Sequence, residues 1–268
     1  MRTRLAVLTV SLAALSGAAY GAAVDLNTWT AESYPAVSGF NPGIWTVAPD
    51  GSSVLQSVNG QPTFFYSDFG AQGTTVTGKI RVNQGAGDDD FVGFALGFNP
   101  GDSTNAGANY LLVDWKKISQ DFNFGAPSTS PGGVAPRGLA VSRVFGIPDA
   151  DEFWQHANLN GTPAGSGLQE LARGATLADV GWIEGQEYEF AFEFGPNNLV
   201  VRVDGVEQFN LGGVFGNGRM AFYNFSQANV RYSAFEVDPG PFPVPEPGVL
   251  ALVGLSLLGL GLSRRRRG

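Results

Sequence analysis

The chain has 268 residues, no cysteine, one histidine and a formal net charge of −8. Those counts exclude thiol chemistry and cysteine-based zinc sites, and an acidic protein has the wrong sign to grip phosphate backbones, so no nucleic acid is expected as a partner. With 38 glycines, sparse charge and phenylalanine as the dominant aromatic at 20 residues, the composition is that of short strands joined by tight turns.

Residues 1–23 read as an export signal peptide. Arg2 and Arg4 precede an apolar run over 5–15, and the small residues Gly21 and Ala23 follow where a signal peptidase would cut. The run is too short to cross a bilayer. Setting aside the arginines and the one glutamate of the two chain ends leaves residues 24–238 at about −13, a balance that favours cations and solubility outside the cell. That span is long enough for one sizeable all-β domain.

Residues 54–58 and 63–67 read as strands separated by the turn signal Asn59-Gly60. Residues 74–83 alternate Thr and Lys with Val and Ile, a half-solvated strand leading to Asp88, Asp89 and Asp90. Segment 91–98 is apolar enough to be buried on both faces, with Gly93 and Gly97 where another backbone comes close. Residues 110–115 form a second dense strand, which carries Asp114.

Residues 122–136 read as a Pro/Gly/Ser loop, and strand character resumes over 139–145. Periodicity is lost from 149 to 179, where an irregular excursion with one helical turn near 168–173 is expected. The clearest alternation runs over 186–194. Tyr188, Phe190, Phe192 and Phe194 fall on one face, and Glu187, Glu189, Ala191 and Glu193 on the other. Residues 198–204 and 206–211 form a hairpin across Asp204-Gly205, and 219–225 and 230–237 close the domain. So many strands with so little helix imply two stacked antiparallel sheets.

Beyond residue 238, prolines at 239, 241, 243, 245 and 247 make an extended spacer. Residues 248–262 are apolar throughout and predict a helix, followed by Arg264, Arg265, Arg266 and Arg267. At about 1.5 Å per residue the run is short for a ~30 Å hydrocarbon core, though flanking residues extend it. The arginines would hold its end on the cytoplasmic side, which makes the tail a transient membrane anchor.

Three adjacent carboxylates repel one another unless water or a cation relieves them. Asp88, Asp89 and Asp90 are hard oxygen donors at the end of a strand, the chemistry that suits Ca²⁺. Side chains on an extended segment point apart, so two of the three are expected to reach one ion. Backbone carbonyls and Asn83, Asp102 or Asn105 would complete the shell. Asp114 either joins from the next strand or is a buried carboxylate bonded to backbone amides.

Glu187 and Glu189 share a strand face at roughly 6.6 Å by rise, near the separation of a retaining glycosidase pair. The E-x-E-x-x-x-E spacing departs from the E-x-D-x-x-E of laminarinase-like enzymes, and no tryptophan flanks it, so a solvated face is the reading. His156 stands without a second histidine and reads as a loop residue, neither zinc ligand nor triad member. Trp154 and Trp182 offer sugar-stacking surface or core packing, and core packing is the assignment. Asn160-Gly161-Thr162 and Asn224-Phe225-Ser226 match the glycan-acceptor pattern, a short motif given little weight.

Two resemblances sharpen these readings. Val244-Pro245-Glu246-Pro247, the apolar run and the arginine cluster resemble the PEP-CTERM sorting signal of Gram-negative bacteria. That implies an exosortase as sorting partner, removal of the tail, and delivery to the cell surface or extracellular matrix, often alongside exopolysaccharide production. The body resembles the thrombospondin C-terminal, L-type-lectin-like domain. The resemblance is carried by Trp45-Thr46-Val47, Gln56-Ser57-Val58-Asn59, Asp88 through Phe94, Tyr110 through Lys117, and Gly138-Leu139-Ala140-Val141. It continues through Phe153-Trp154, Gly181-Trp182, Gly218 through Phe222 and Phe225-Ser226-Gln227, in the family's order.

This resemblance implies a two-sheet antiparallel jelly-roll sandwich of the concanavalin A/L-type-lectin kind that binds calcium and serves adhesion. The family's second Trp-His segment is replaced here by Leu171-Ala172-Arg173-Gly174, and its upstream calcium-wire repeats do not occur in the sequence. The expectation is a non-enzymatic, calcium-binding, surface-sorted sandwich acting in adhesion or in matrix and biofilm organisation, with matrix proteins or exopolysaccharide as partners. A lectin for exopolysaccharide is the alternative, and an endoglycosidase a third.

Overall fold

The computed structural model describes residues 21–35, 39–159 and 167–238. The export leader up to residue 20, the proline spacer, the apolar tail helix, the arginine cluster and Asn160-Gly161-Thr162 lie outside the described residues. Among those described, no helix is long and apolar enough to cross a membrane.

The strands in chain order are β1 (Ala22–Ala23), β2 (Thr30–Ser33), β3 (Trp45–Val47), β4 (Ser53–Gln56), β5 (Thr63–Gly70), β6 (Thr74–Val82), β7 (Phe91–Phe98) and β8 (Asn109–Lys116). Then come β9 (Gln120–Phe122), β10 (Gly133–Ala135), β11 (Gly138–Phe145), the helix α1 (Ala150–Gln155) and β12 (Gly167–Arg173). The chain ends its described part with β13 (Glu187–Phe194), β14 (Asn198–Val203), β15 (Val206–Gly212), β16 (Arg219–Phe225) and β17 (Val230–Asp238).

They form an antiparallel jelly-roll sandwich. One sheet runs β15-β14-β13-β6-β17-β4-β3, with β1 also laid against β17; the other runs β12-β11-β8-β7-β16-β5-β2. Strands β9 and β10 make a separate two-stranded ribbon.

The period-two alternation in β13 does what it predicts. Tyr188, Phe190, Phe192 and Phe194 turn inward, and they join Val92, Phe94, Leu96, Val113, Trp115, Phe222 and Tyr232 in the core between the sheets. The other face of β7 is also covered. Phe91, Ala95 and Phe98 pack with Phe124, Phe153 and Trp154 in a second cluster beneath α1 and the segment around β9 and β10. This double cover is why all eight residues of β7 are buried and why its sequence lacks alternation. Gly97, at φ 83°, is the extra residue of a bulge opposite Arg219–Met220 and lets Leu96 face one core and Phe98 the other.

Three expectations need correction. The helix lies at Ala150–Gln155, and the residues expected to form a helical turn are strand β12, paired with β11. Asp149 caps the helix by accepting from the Glu152 amide while Glu152 accepts from the Asp149 amide, a capping box that stabilises even six residues. Asn59-Gly60 does not close a hairpin: β4 and β5 belong to different sheets, so the stretch between them crosses the sandwich. The expected loop over 122–136 contains β10 and the end of β9.

Candidate metal centre

Asp88, Asp89 and Asp90 sit just before β7, outside any strand. One carboxylate oxygen from each of the three lies within 4.8 Å of the others. The loop is pinned from four directions. Gln227 accepts from the Asp90 amide (2.9 Å), and the Trp182 indole donates to the Asp90 carbonyl (3.0 Å). The Lys117 amide donates to the Asp89 carbonyl (3.1 Å), and the Asn59 amide group donates to Asp88 Oδ2. Ser226 in turn donates to Asn59 Oδ1 (3.3 Å).

The fourth charge of the cluster is Lys116, with a side chain 0% exposed. Its ammonium donates to Asp90 Oδ1, to the Asp89 carbonyl (3.4 Å) and to Gln120 Oε1 (3.2 Å), and lies 3.7 Å from Asp89 Oδ1. Behind it stand the faces of Trp154 (4.3 Å) and Phe91 (5.3 Å). Burial pushes the Asp90 carboxyl up to about 6; Lys116 pulls the other way, and the neighbouring Asp88 charge pushes it further up.

The donors fit a hard divalent cation. Three carboxylates converge, and Asp89 Oδ1 is buried with no hydrogen-bond partner. Oxygen-only donors without His or Cys suit Ca²⁺ better than zinc. Asp88, Asp89 and Asp90 are the residues that would hold the ion.

Apart from Trp182 and Trp154, which touch the cluster, the other residues singled out in the sequence stand elsewhere. Asn83 spends its side chain on Asn229 (3.0 Å) and Arg81 (3.0 Å). Asp102 and Asn105 bond to each other (3.0 Å) in a turn past the opposite end of β7, and Asp102 also accepts from the Asn99 amide (2.8 Å). At about 3.3 Å per residue, the eight residues of β7 put roughly 26 Å between that turn and the aspartates.

Asp114 lies on the covered face of the second sheet and accepts from His156 Nε2 (2.9 Å), not from backbone amides. His156 is no loop residue but the left-handed C-cap of α1, and its Nδ1 reaches Glu170 (3.3 Å). Burial opposes its charge, yet Asp114 and Glu170 outweigh that and raise its pKa to about 9.

Glu187 pairs with Lys79 (3.0 Å), and Glu193 with Arg202, on the solvated face of β13. Trp154 and Trp182 are buried at 1% and 2% exposure, which leaves no ring face open for a sugar. Asn224 is equally buried, and its Oδ1 accepts from the Tyr232 hydroxyl (2.8 Å).

Lys116, Gln227 and Asn59 are not among the sequence's site candidates, and Trp182 is there only as stacking or core surface. Lys116 had a signal: with Trp115 facing the core, Asp114 and Lys116 share the opposite face of an apolar strand, the mark of a covered polar patch.

Comparison with known proteins bears on the whole chain. A family model for the thrombospondin C-terminal region matches residues 41–239, and one for the PEP-CTERM protein-sorting motif matches 243–267. Cartilage oligomeric matrix protein of Rattus norvegicus is 24% identical over 208 residues, covering 73% of this chain and 26% of that protein. Thrombospondin-3b of Danio rerio is 24% identical over 197 residues, covering 70% and 20%. The chain thus spans about a quarter or less of these relatives. Among solved structures, the carbohydrate-binding module CBM66 from Bacillus subtilis has a TM-score of 0.48 at 11% identity, covering 79% of this chain and 95% of that one. Sheep galectin-11 has a TM-score of 0.34 at 9% identity, covering 65% and 95%.

Proposed function

The chain belongs to the thrombospondin C-terminal family, and from that premise we propose that it is an exported, non-catalytic β-sandwich that binds Ca²⁺ through Asp88, Asp89 and Asp90 and works in adhesion or matrix organisation. The sorting motif implies export to the cell envelope or surface of a Gram-negative bacterium. An exosortase is the partner that would process Val244-Pro245-Glu246-Pro247 and the tail behind it. The observation that carries the metal reading is the convergence of three carboxylates, with one buried oxygen, Asp89 Oδ1, that no hydrogen bond satisfies and that the Lys116 ammonium faces from 3.7 Å. When bound, Ca²⁺ supplies positive charge to a loop that otherwise opposes three carboxylates with a single ammonium.

The chain's own residues make that loop a junction. Asn59 lies on the connection from β4 to β5, Trp182 before β13, Gln227 between β16 and β17, and Lys116 at the end of β8. Ordering the aspartates therefore couples segments from both sheets, which is how a metal loop stiffens a surface without chemistry. The solvated Glu187–Lys79 and Glu193–Arg202 pairs, each carboxylate held by a cation, support a non-catalytic role.

Calorimetry in excess Ca²⁺ and in EDTA tests this. With free ion at about a hundred times its dissociation constant, stabilisation of about 2.7 kcal/mol raises the melting temperature of a domain this size by roughly 5–10 °C. Asp88→Asn with Asp89→Asn should abolish the difference, and an unchanged wild-type melt would remove the metal.

One observation favours carbohydrate binding as a second reading. Phe122 stands 39% exposed beside Asp121 and Asn123 in an open groove of about 610 Å³ closed by Pro131 and Gly132. A half-exposed ring flanked by a carboxylate and an amide can stack on a pyranose while bonding its hydroxyls. Titration with the host's exopolysaccharide, comparing wild type with Phe122→Ala, decides it: no binding by either protein sinks the lectin reading.

A further inference from the structure

Lys116 is a buried lysine that shares its cluster with more acid than it can balance. The side chain is 0% exposed, and the ammonium meets four oxygens: Asp90 Oδ1, the Asp89 carbonyl, Asp89 Oδ1 and Gln120 Oε1. Trp154 and Phe91 present their ring faces to it. Oxygens on one side and π-faces on the other make the shell of a small bound cation, reached here by a four-carbon stem from β8.

Three carboxylates against one ammonium leave two negative charges, the amount a single divalent ion neutralises. A second divalent ion would have to displace Lys116 into space already filled by rings, or sit beside a buried positive charge that has no route to solvent.

We propose that Lys116 is a resident cation that stands in for a second metal ion and limits the aspartate cluster to one Ca²⁺. The proposal rests on the calcium reading and adds to it the stoichiometry and the residue that sets it. Asp90 is thereby assigned chiefly to Lys116, which leaves Asp88 and Asp89 as the carboxylates most available to the ion.

Native mass spectrometry and titration calorimetry with CaCl₂ on the exported protein test it. Wild type should take one Ca²⁺. Lys116→Met, which keeps an unbranched chain beneath Trp154 while removing the charge, should free Asp90 and take two, and the double variant Lys116→Met/Asp90→Asn should return to one because the carboxylate that Lys116 held is no longer charged. Two ions in wild type, or one in Lys116→Met, would overturn the role of Lys116 while leaving calcium binding intact. No ion in wild type would instead overturn the calcium reading beneath it. Should Lys116→Met fail to fold, Lys116→Gln, which keeps a polar end beside Asp90 without the charge, takes its place with the same expected count of two, and one ion there overturns the role of Lys116.

Discussion

His156 places an imidazole between two carboxylates, with Nε2 donating to Asp114 and Nδ1 to Glu170. Its folded pKa of about 9 lies above the ordinary 6.5, so the contact contributes fully below pH 6.5 and is lost as pH rises through 9. The melting temperature should therefore fall between pH 7 and pH 10, and His156→Gln should flatten that fall. A variant as alkali-sensitive as wild type would place the effect elsewhere. Glu170 shows the opposite sign. Burial opposes its charge, but His156 and Arg173 hold its carboxyl down at about 2, so its contribution is present above pH 4.5 and disappears as pH falls toward 2. Together the two groups make the contact between the end of α1 and β12 strongest in the neutral and mildly acid range.

At the scale of elements, β7 is the strand with least freedom. A Cβ on Gly93 would lie 2.2 Å from the Val113 carbonyl and 2.7 Å from Asp114 Cα, both backbone atoms of β8 that cannot step aside. Gly93→Ala should cost ~1–3 kcal/mol or more and lower the melting temperature by several degrees. By contrast, Glu187→Gln on the exposed face of β13 breaks only its pair with Lys79 and should change stability by under about 1 kcal/mol. Either result reversed would mean that the faces of these strands are misassigned.

The same contrast explains what could be read from the chain alone. Strands β7, β13, β14 and β15 were legible because density, alternation and Asp204-Gly205 are local signals. Strand β12 was not, because its buried and exposed positions do not alternate, and helix α1 was not, because six residues make fewer than two turns and its Asp149-x-x-Glu152 capping pattern is the one local signal it carries. The acidic triplet was equally visible. Its partners Asn59, Trp182 and Gln227 were not, because they arrive from distant parts of the chain and no spacing rule links them to residue 88.

At the scale of the whole molecule, the two ends of the described chain meet. Ala22 and Ala23 pair with Val237 and Glu236, and the Val24 amide donates to the Phe235 carbonyl (2.9 Å). An export cut after Ala23 would strip β1 from β17 and keep only the Val24 contact, whereas a cut before Ala22 would keep both pairs. N-terminal sequencing of the exported protein distinguishes these. If β1 is retained, deleting residues 22 and 23 should lower the melting temperature slightly, as expected for a two-residue edge strand.

Strand β17 lies mid-sheet, hydrogen-bonded along one edge to β6 and along the other first to β4 and then to β1. A pull applied at Asp238, against a hold elsewhere on the domain, would therefore load both rows of hydrogen bonds at once in shear instead of peeling them singly. The bonds that fix the place of this strand in the sheet are thus the same bonds that would carry such a strain.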